Sequence, residues 1–170
     1  MVGLSIEMLG EERFVRGFSR VSSEIKNFEP LFRLVLDDFR EMEARIFDSE
    51  GSSEGEGRWQ SLSDEYREWK EKNFPGRSIM QLNGYLHAAL VSRSTGTVEK
   101  INQTQAEFGV DLPYAHRHQM GYKMPMRRIV QVNDTRKKVW GRMGARWANG
   151  LIDKYIGTDS GKYNGEESFL

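Results

Sequence analysis

Cysteine is absent from all 170 residues of the chain. That absence excludes thiol nucleophiles, thiolate zinc sites and iron–sulfur clusters, and it removes the disulfide framework that would mark an oxidising compartment. A chain of this length folds without such staples, since it buries roughly 68–70% of its unfolded surface. Histidine is scarce, at three residues. His116 and His118 flank Arg117, and His87 lies well upstream. No carboxylate or thiol follows them at ligand spacing, so no metal and no cofactor is expected; the simplest role for His118 and Gln119 is to satisfy backbone groups in a tight loop. Long apolar runs are missing too. Nothing approaches the ~18 residues that span a bilayer, and no basic flank with an apolar stretch opens the N-terminus, so no membrane partner or signal peptide is expected and assembly in the cytoplasm is the natural reading.

Catalytic constellations are equally sparse. There is no nucleophile elbow and no glycine-rich phosphate loop after a strand, and the glycines of residues 49–57 are interspersed with acids that repel phosphate. Glu11-Glu12 and Asp37-Asp38 are adjacent pairs, which on a helix diverge rather than converge into an acid–base dyad. The expectation is a protein that is not an enzyme. A hydrolase centred on His116 and His118 is the least favoured alternative.

Net charge is zero, with 25 basic and 25 acidic residues, so no whole-chain attraction to nucleic acid is expected. The charges are unevenly placed. Residues 1–56 carry 13 acids against 7 bases, whereas residues 127–146 carry seven bases against Asp134 alone. Arg127, Arg128, Arg136, Lys137, Lys138, Arg142 and Arg146 are interleaved with Trp140 and Trp147, the composition of a surface that neutralises phosphates and stacks bases. However, Trp140, Met143 and Trp147 share one helical side, which predicts buried tryptophans and an outward basic face. A subunit or partner interface built from Arg127, Arg128, Arg136, Lys138, Arg142 and Arg146 is therefore expected ahead of a nucleic-acid-binding module over 127–146.

What is present in quantity is helical periodicity. A short helix is predicted over 11–26 and a stronger one over 28–47, where Phe28, Leu31, Phe32, Val35, Phe39, Met42 and Ile46 recur at three- and four-residue steps. Residues 49–57 contain three glycines and no apolar side chain, the composition of a flexible loop. Ser63 caps a helix that opens with Asp64 and Glu65 and stops before Pro75-Gly76. Another helix is predicted over 78–91 with Gly84 inside it, strands over 97–103 and 105–110, an irregular stretch or one short helical turn over 113–123, a further strand over 126–132, and a last helix over 134–156. The expected fold is α+β: four to five helices packed with a small, mainly antiparallel sheet. Residues 1–10 read as an arm or short strand, 11–157 as one domain, and 158–170 as a mobile tail.

Four ordered motifs resemble those of the phage virion-morphogenesis or tail-completion family. Trp59-x-x-Leu62-Ser63 follows the glycine-rich loop. Ile79-Met80-x-x-Asn83-Gly84-x-Leu86 is similar to a helix motif of that family, Tyr114-Ala115-x-x-His118-Gln119-x-Gly121 to a loop motif, and Pro125-x-Arg127 to the entry of its late apolar segment. Asn83 stands where threonine is usual, and Arg128 where a proline often follows the arginine. Physically, Gly84 and Gly121 permit positive φ or close backbone approach, Trp59 and Tyr114 are amphipathic anchors, and Arg127 is a donor fork suited to a neighbouring carboxylate. The resemblance implies a structural subunit of the virion, assembled in the host cytoplasm. It would form a homo-oligomeric ring, expected as a hexamer, in the neck between a head connector, adaptor or stopper protein and the tail tube, with DNA passing through the lumen. Whether such a subunit is a tail-completion or a tail-terminator protein is left open by the motifs.

Overall fold

A computed structural model describes residues 11–54 and 57–157; the arm expected at 1–10 and the tail expected at 158–170 lie outside the described residues. Long apolar periodicities become long helices. Helix α1 spans Glu11–Glu24 and α2 spans Glu29–Asp48. Pro30 suits the first turn of α2, where its missing N–H leaves no gap, and Asn27 accepts from Glu29 N at 3.1 Å. Helix α3, Asp64–Asn73, is capped by Ser63, whose hydroxyl accepts from Tyr66 N. Short helices α4, Tyr85–Val91, and α5, Ala115–Met120, precede the long α6, Asp134–Tyr155, capped by Asn133.

The sheet is one antiparallel hairpin, β1 Thr97–Ile101 against β2 Ala106–Val110, with Ile101 opposite Ala106. Its loop is built by Asn102, whose side-chain oxygen accepts from both Thr104 N and Gln105 N at 2.9 Å. The α+β class and the small antiparallel sheet match expectation, and α5 makes a sixth helix among the described residues.

Helix α2 is the axis of the core. Leu36, Phe39, Met42, Ile46 and Phe47 are buried with Trp59, Leu86, Leu90, Ala115 and Ile129. Phe39 meets Phe108 of the hairpin at 5.1 Å, and Phe47 meets Trp59 and His87 edge-on. On the other side, α6 runs antiparallel to α2. Phe28 packs on Trp147, Leu31 on Gly144, and Asp38 bonds both Arg136 and Trp140. Helix α1 then lies on the far end of α6. Gly17 lets its backbone approach the carbonyl of Tyr155 so closely that a Cβ would clash.

Two sequence expectations are corrected. The helix predicted over 78–91 begins only at Tyr85, because Met80 and Gly84 adopt left-handed backbone with φ of 65° and 78°. Before it, Ile79 N donates to Glu50 Oε1 and Ser78 O accepts from Lys70 Nζ and from Gln81 N, a single tight turn that stops short of a helix. Gly84 is thus a bend, and a Cβ there would meet nothing within 4 Å. The strand predicted over 126–132 does not form: the segment bends at Ile129 and Val130 and has no strand partner among the described residues. The Gln119 side chain replaces one, accepting from Ile129 N and Val130 N and donating to Val130 O at 2.7–3.1 Å.

Residues 49–54 are more structured than their composition signals. Ser52–Glu54 form a 3-10 turn, and Glu54 is buried, its carboxylate held by Arg136.

Candidate functional site

An open groove of about 940 Å³ lies on one side of the core. Its walls come from residues 60–63 and α3, residues 79–86, the first turns of α5, and residues 124–127. Each wall is fixed by a local device. Trp59 is buried edge-on to Phe47, and its indole N–H donates to the Arg128 carbonyl at 2.9 Å, pinning the strand of chain that carries Leu62 and Ser63 into the groove. The left-handed bend at Gly84 turns the backbone into α4, placing Leu86 inward with 2% exposure. On α5, Ala115 is buried in the core and Gln119 clamps residues 129–130. Gly121 ends α5 in left-handed backbone, where a Cβ would press on Met126 at 2.9 Å. That tight reversal carries Pro125 into the wall.

The four motif segments, far apart in sequence, therefore meet: Leu62, Ser63, Gly84, Leu86, Tyr114, His118, Pro125 and Arg127 all line one groove, while Trp59, Ala115, Gln119 and Gly121 hold its walls. Tyr66, Tyr85 and Tyr114 form its rim and are 42%, 63% and 39% exposed. Its floor is cationic. Among the described residues no aspartate or glutamate lines it, whereas Lys70 and Arg127 do.

Both floor cations are buried and held by carbonyls. Lys70 donates to Ser78 O; Arg127 donates from Nε to Gln60 O at 3.0 Å and from Nη2 to Ser61 O at 3.2 Å. Burial, then the Arg127 charge, lowers the Lys70 pKa, the nearby Glu50 opposing. Burial likewise pulls Arg127 down. Burial and Arg127 together push His118 below the ordinary histidine range, so its imidazole is neutral at pH 7, and its Nδ1 is buried without a partner among the described residues. Burial, with Tyr85 adding to it, raises the Tyr114 phenol, which stays protonated.

The sequence-predicted interface residues divide. Arg127 is 6% exposed and bonds its own chain's carbonyls, not a neighbouring carboxylate. Arg136 also turns inward, its Nη1 donating to both carboxylate oxygens of Asp38 at 3.0 Å and its Nη2 to Glu54 at 2.7 Å. Lys138, Arg142 and Arg146 remain on the outer side of α6 at four-residue steps, exposed and without an ion-pair partner among the described residues. Arg128 is exposed as well. Trp140 and Trp147 face the other way, onto Asp38 and Phe28.

The three histidines do not converge. His87 packs against Phe47 and His116 is exposed, while His118 borders the groove. Among the described residues no cluster of three or more His, Cys, Asp or Glu could hold a metal, and no helix is long and apolar enough to cross a membrane. Sequence reasoning missed Lys70 as part of the groove. Its signal was faint: a lysine one turn after Tyr66 on a helix otherwise dominated by exposed charge.

A model of the phage virion morphogenesis family matches residues 10–151. No curated protein and no solved structure matches the chain.

Proposed function

Because the chain belongs to the phage virion morphogenesis family, a family of bacteriophage virion assembly, we propose that it is a neck subunit, a tail-completion or tail-terminator protein. Copies form a ring between the head connector and the tail tube, act through geometry and polar surfaces, and carry out no catalysis. The observation that carries this reading is the convergence of the four ordered motifs on one groove. Segments 59–63, 79–86, 114–121 and 125–127 are brought together by the core and its clamps, and what they build between them is a surface, which supports a role played by that surface rather than by any single residue.

The ring requires a heterologous contact whose rotation closes. Lys138, Arg142 and Arg146 are suited to one side of it, since α6 has committed its opposite side to α2 and the outer cations are unspent. Acidic counterparts are available on exposed Asp37 and Glu41 of α2. The test is complementation of a phage lacking this protein with the triple variant Lys138→Glu, Arg142→Glu, Arg146→Glu. The expected result is a folded, soluble subunit and loss of joined, infectious particles in electron micrographs. Normal particle yield sinks the interface. Arg127 is unsuitable for this test, because reversing a buried charge unfolds the subunit whatever its role.

The exposed cation stripe also favours one rival, a nucleic-acid-binding module. Inward-facing Trp140 and Trp147 weaken it by removing the stacking surface. Binding of duplex DNA by the purified chain, with a logarithmic salt slope of about −0.9 per neutralised phosphate, would move the balance to the rival.

A further inference from the structure

The groove presents an unusual demand. Its floor carries Lys70 and Arg127 with only carbonyl oxygens as hydrogen-bond acceptors among the described residues, and Glu50, whose charge reaches Lys70, is engaged by Arg58 and by Ile79 N. Cations held near one another by carbonyls alone leave a positive potential that an incoming carboxylate would stabilise. Above the floor, Tyr66, Tyr85 and Tyr114 expose ring surface that a short peptide with an aromatic or aliphatic side chain would cover. The fitting occupant is a peptide with acids beside apolar residues.

The chain itself contains one: Glu166-Glu167-Ser168-Phe169-Leu170, with no base within it. We propose that this segment of one copy docks in the groove of a second copy, Glu166 and Glu167 over Lys70 and Arg127, and Phe169 against the rim tyrosines. The inference rests on the reading that copies associate, and it names what links them.

Reach argues for a neighbour's groove over the chain's own. Helices α2 and α6 form an antiparallel pair, and α6, at 22 residues, is about 33 Å long. The groove lies at the pair's near end, where α2 ends on Trp59 and α6 begins beside Glu54. Gly157 lies at the far end, beside α1. From Gly157 to Glu166, nine residues stretch to at most about 30–32 Å. A chain pulled fully taut, with no allowance for passing around the body, barely spans that distance. A neighbour's groove imposes no such limit.

The absence of native cysteine supplies the test. Full-length Asn83→Cys, in the groove, is mixed with full-length Ser168→Cys and treated with a short bismaleimide. An exposed site on α6, Asn149→Cys, replaces Asn83→Cys to measure chance collision. Docking raises the local concentration, so the Asn83–Ser168 heterodimer is expected at a yield at least about tenfold above the control. Adding Glu166→Lys and Glu167→Lys should remove the excess. Equal yields overturn the proposal, as does a doubly substituted chain that crosslinks only within itself. Sedimentation of the unlabelled protein separates this from the ring: oligomers without the excess heterodimer leave the ring standing and end the docking, whereas a monomer forming no heterodimer ends both.

Discussion

Glu43 lies on α2 with 0% exposure, and neither carboxyl oxygen has a partner among the described residues. Burial, then the charge of nearby Glu54, pushes its pKa up to about 9. The folded value thus lies above that of the unfolded chain, so the native state holds a proton that the unfolded state releases. Stability should fall as pH rises from about 4.5 to about 9, by on the order of 1 kcal/mol per pH unit. Two other carboxyls act in a separate window. Glu99 and Glu50 are held low, chiefly by hydrogen bonds from Arg93 and Arg58, and lose their contribution only as pH drops through those depressed values. Thermal melts between pH 5 and pH 9 should therefore show a declining midpoint, and Glu43→Gln should flatten the decline and be the more stable protein at pH 8. A wild-type midpoint that does not move over this range refutes the assignment. Gln119 makes a second residue-scale case. Its amide supplies the partner that a strand would have given to Ile129 and Val130, so Gln119→Ala leaves three backbone groups unpaired. The expected loss is roughly 2–4 kcal/mol at about 1 kcal/mol per bond, read by denaturant unfolding. Gln119→Glu, which keeps the acceptor but not the donor, should lose less.

At the scale of elements, the join between α6 and the body is concentrated in one cluster. Arg136 bridges Asp38 of α2 and Glu54 of the 3-10 turn, Trp140 donates to the same Asp38, and Asn133 ties the α6 cap to the Glu54 carbonyl. Removing the cation leaves the buried Glu54 and the half-buried Asp38 without their counter-charge, so Arg136→Ala should cost roughly 3 kcal/mol. Arg136→Lys should recover little, because an ammonium cannot serve both partners as a planar fork does. Rescue by lysine in unfolding experiments would show the cluster to be mere charge balance. The long helices and the two strands were legible in the sequence because their periodicity is local, whereas the strand expected over 97–103 ends at Ile101, where Asn102 turns the chain. The groove was legible only as motif residues in order, since what joins them is the left-handed backbone bend at Gly84 and the Gln119 clamp, a side chain reaching across to residues 129–130. Glu43 could have been found: it lies four residues after Phe39 and four before Phe47, squarely on the apolar stripe. Arg136 could also have been told from Arg142, since it lies four residues before Trp140 and seven before Met143, on the side the tryptophans share. Arg127 could not, because it precedes the helix and its inward turn depends on the carbonyls of Gln60 and Ser61.

For the whole molecule, stability is unevenly distributed, and α1 lies at its weak end. Among the residues of α1 with described side chains, burial is confined to Gly17 and Val21, and its main contact is with the far end of α6. Phe14, Val15 and Phe18 remain more than half exposed, with the two phenylalanine rings stacked on each other at 6.3 Å. A 14-residue helix is marginal in water without an apolar face to dock, and here much of that face is turned outward. Opening of α1 alone should therefore cost far less than global unfolding. Hydrogen exchange on the isolated subunit should show α1 amides exchanging well before those of α2 and of the first turns of α6, whose release requires disrupting the Phe39, Met42 and Ile46 core. The same measurement on assembled particles has a different expected outcome. If Phe14 and Phe18 are covered by a neighbouring subunit, α1 gains protection on assembly while α2, already slow, changes little. Rapid exchange of α1 in both states would mean that assembly leaves this apolar patch bare. Slow exchange in the isolated subunit would mean that α6 holds α1 more firmly than two buried residues account for.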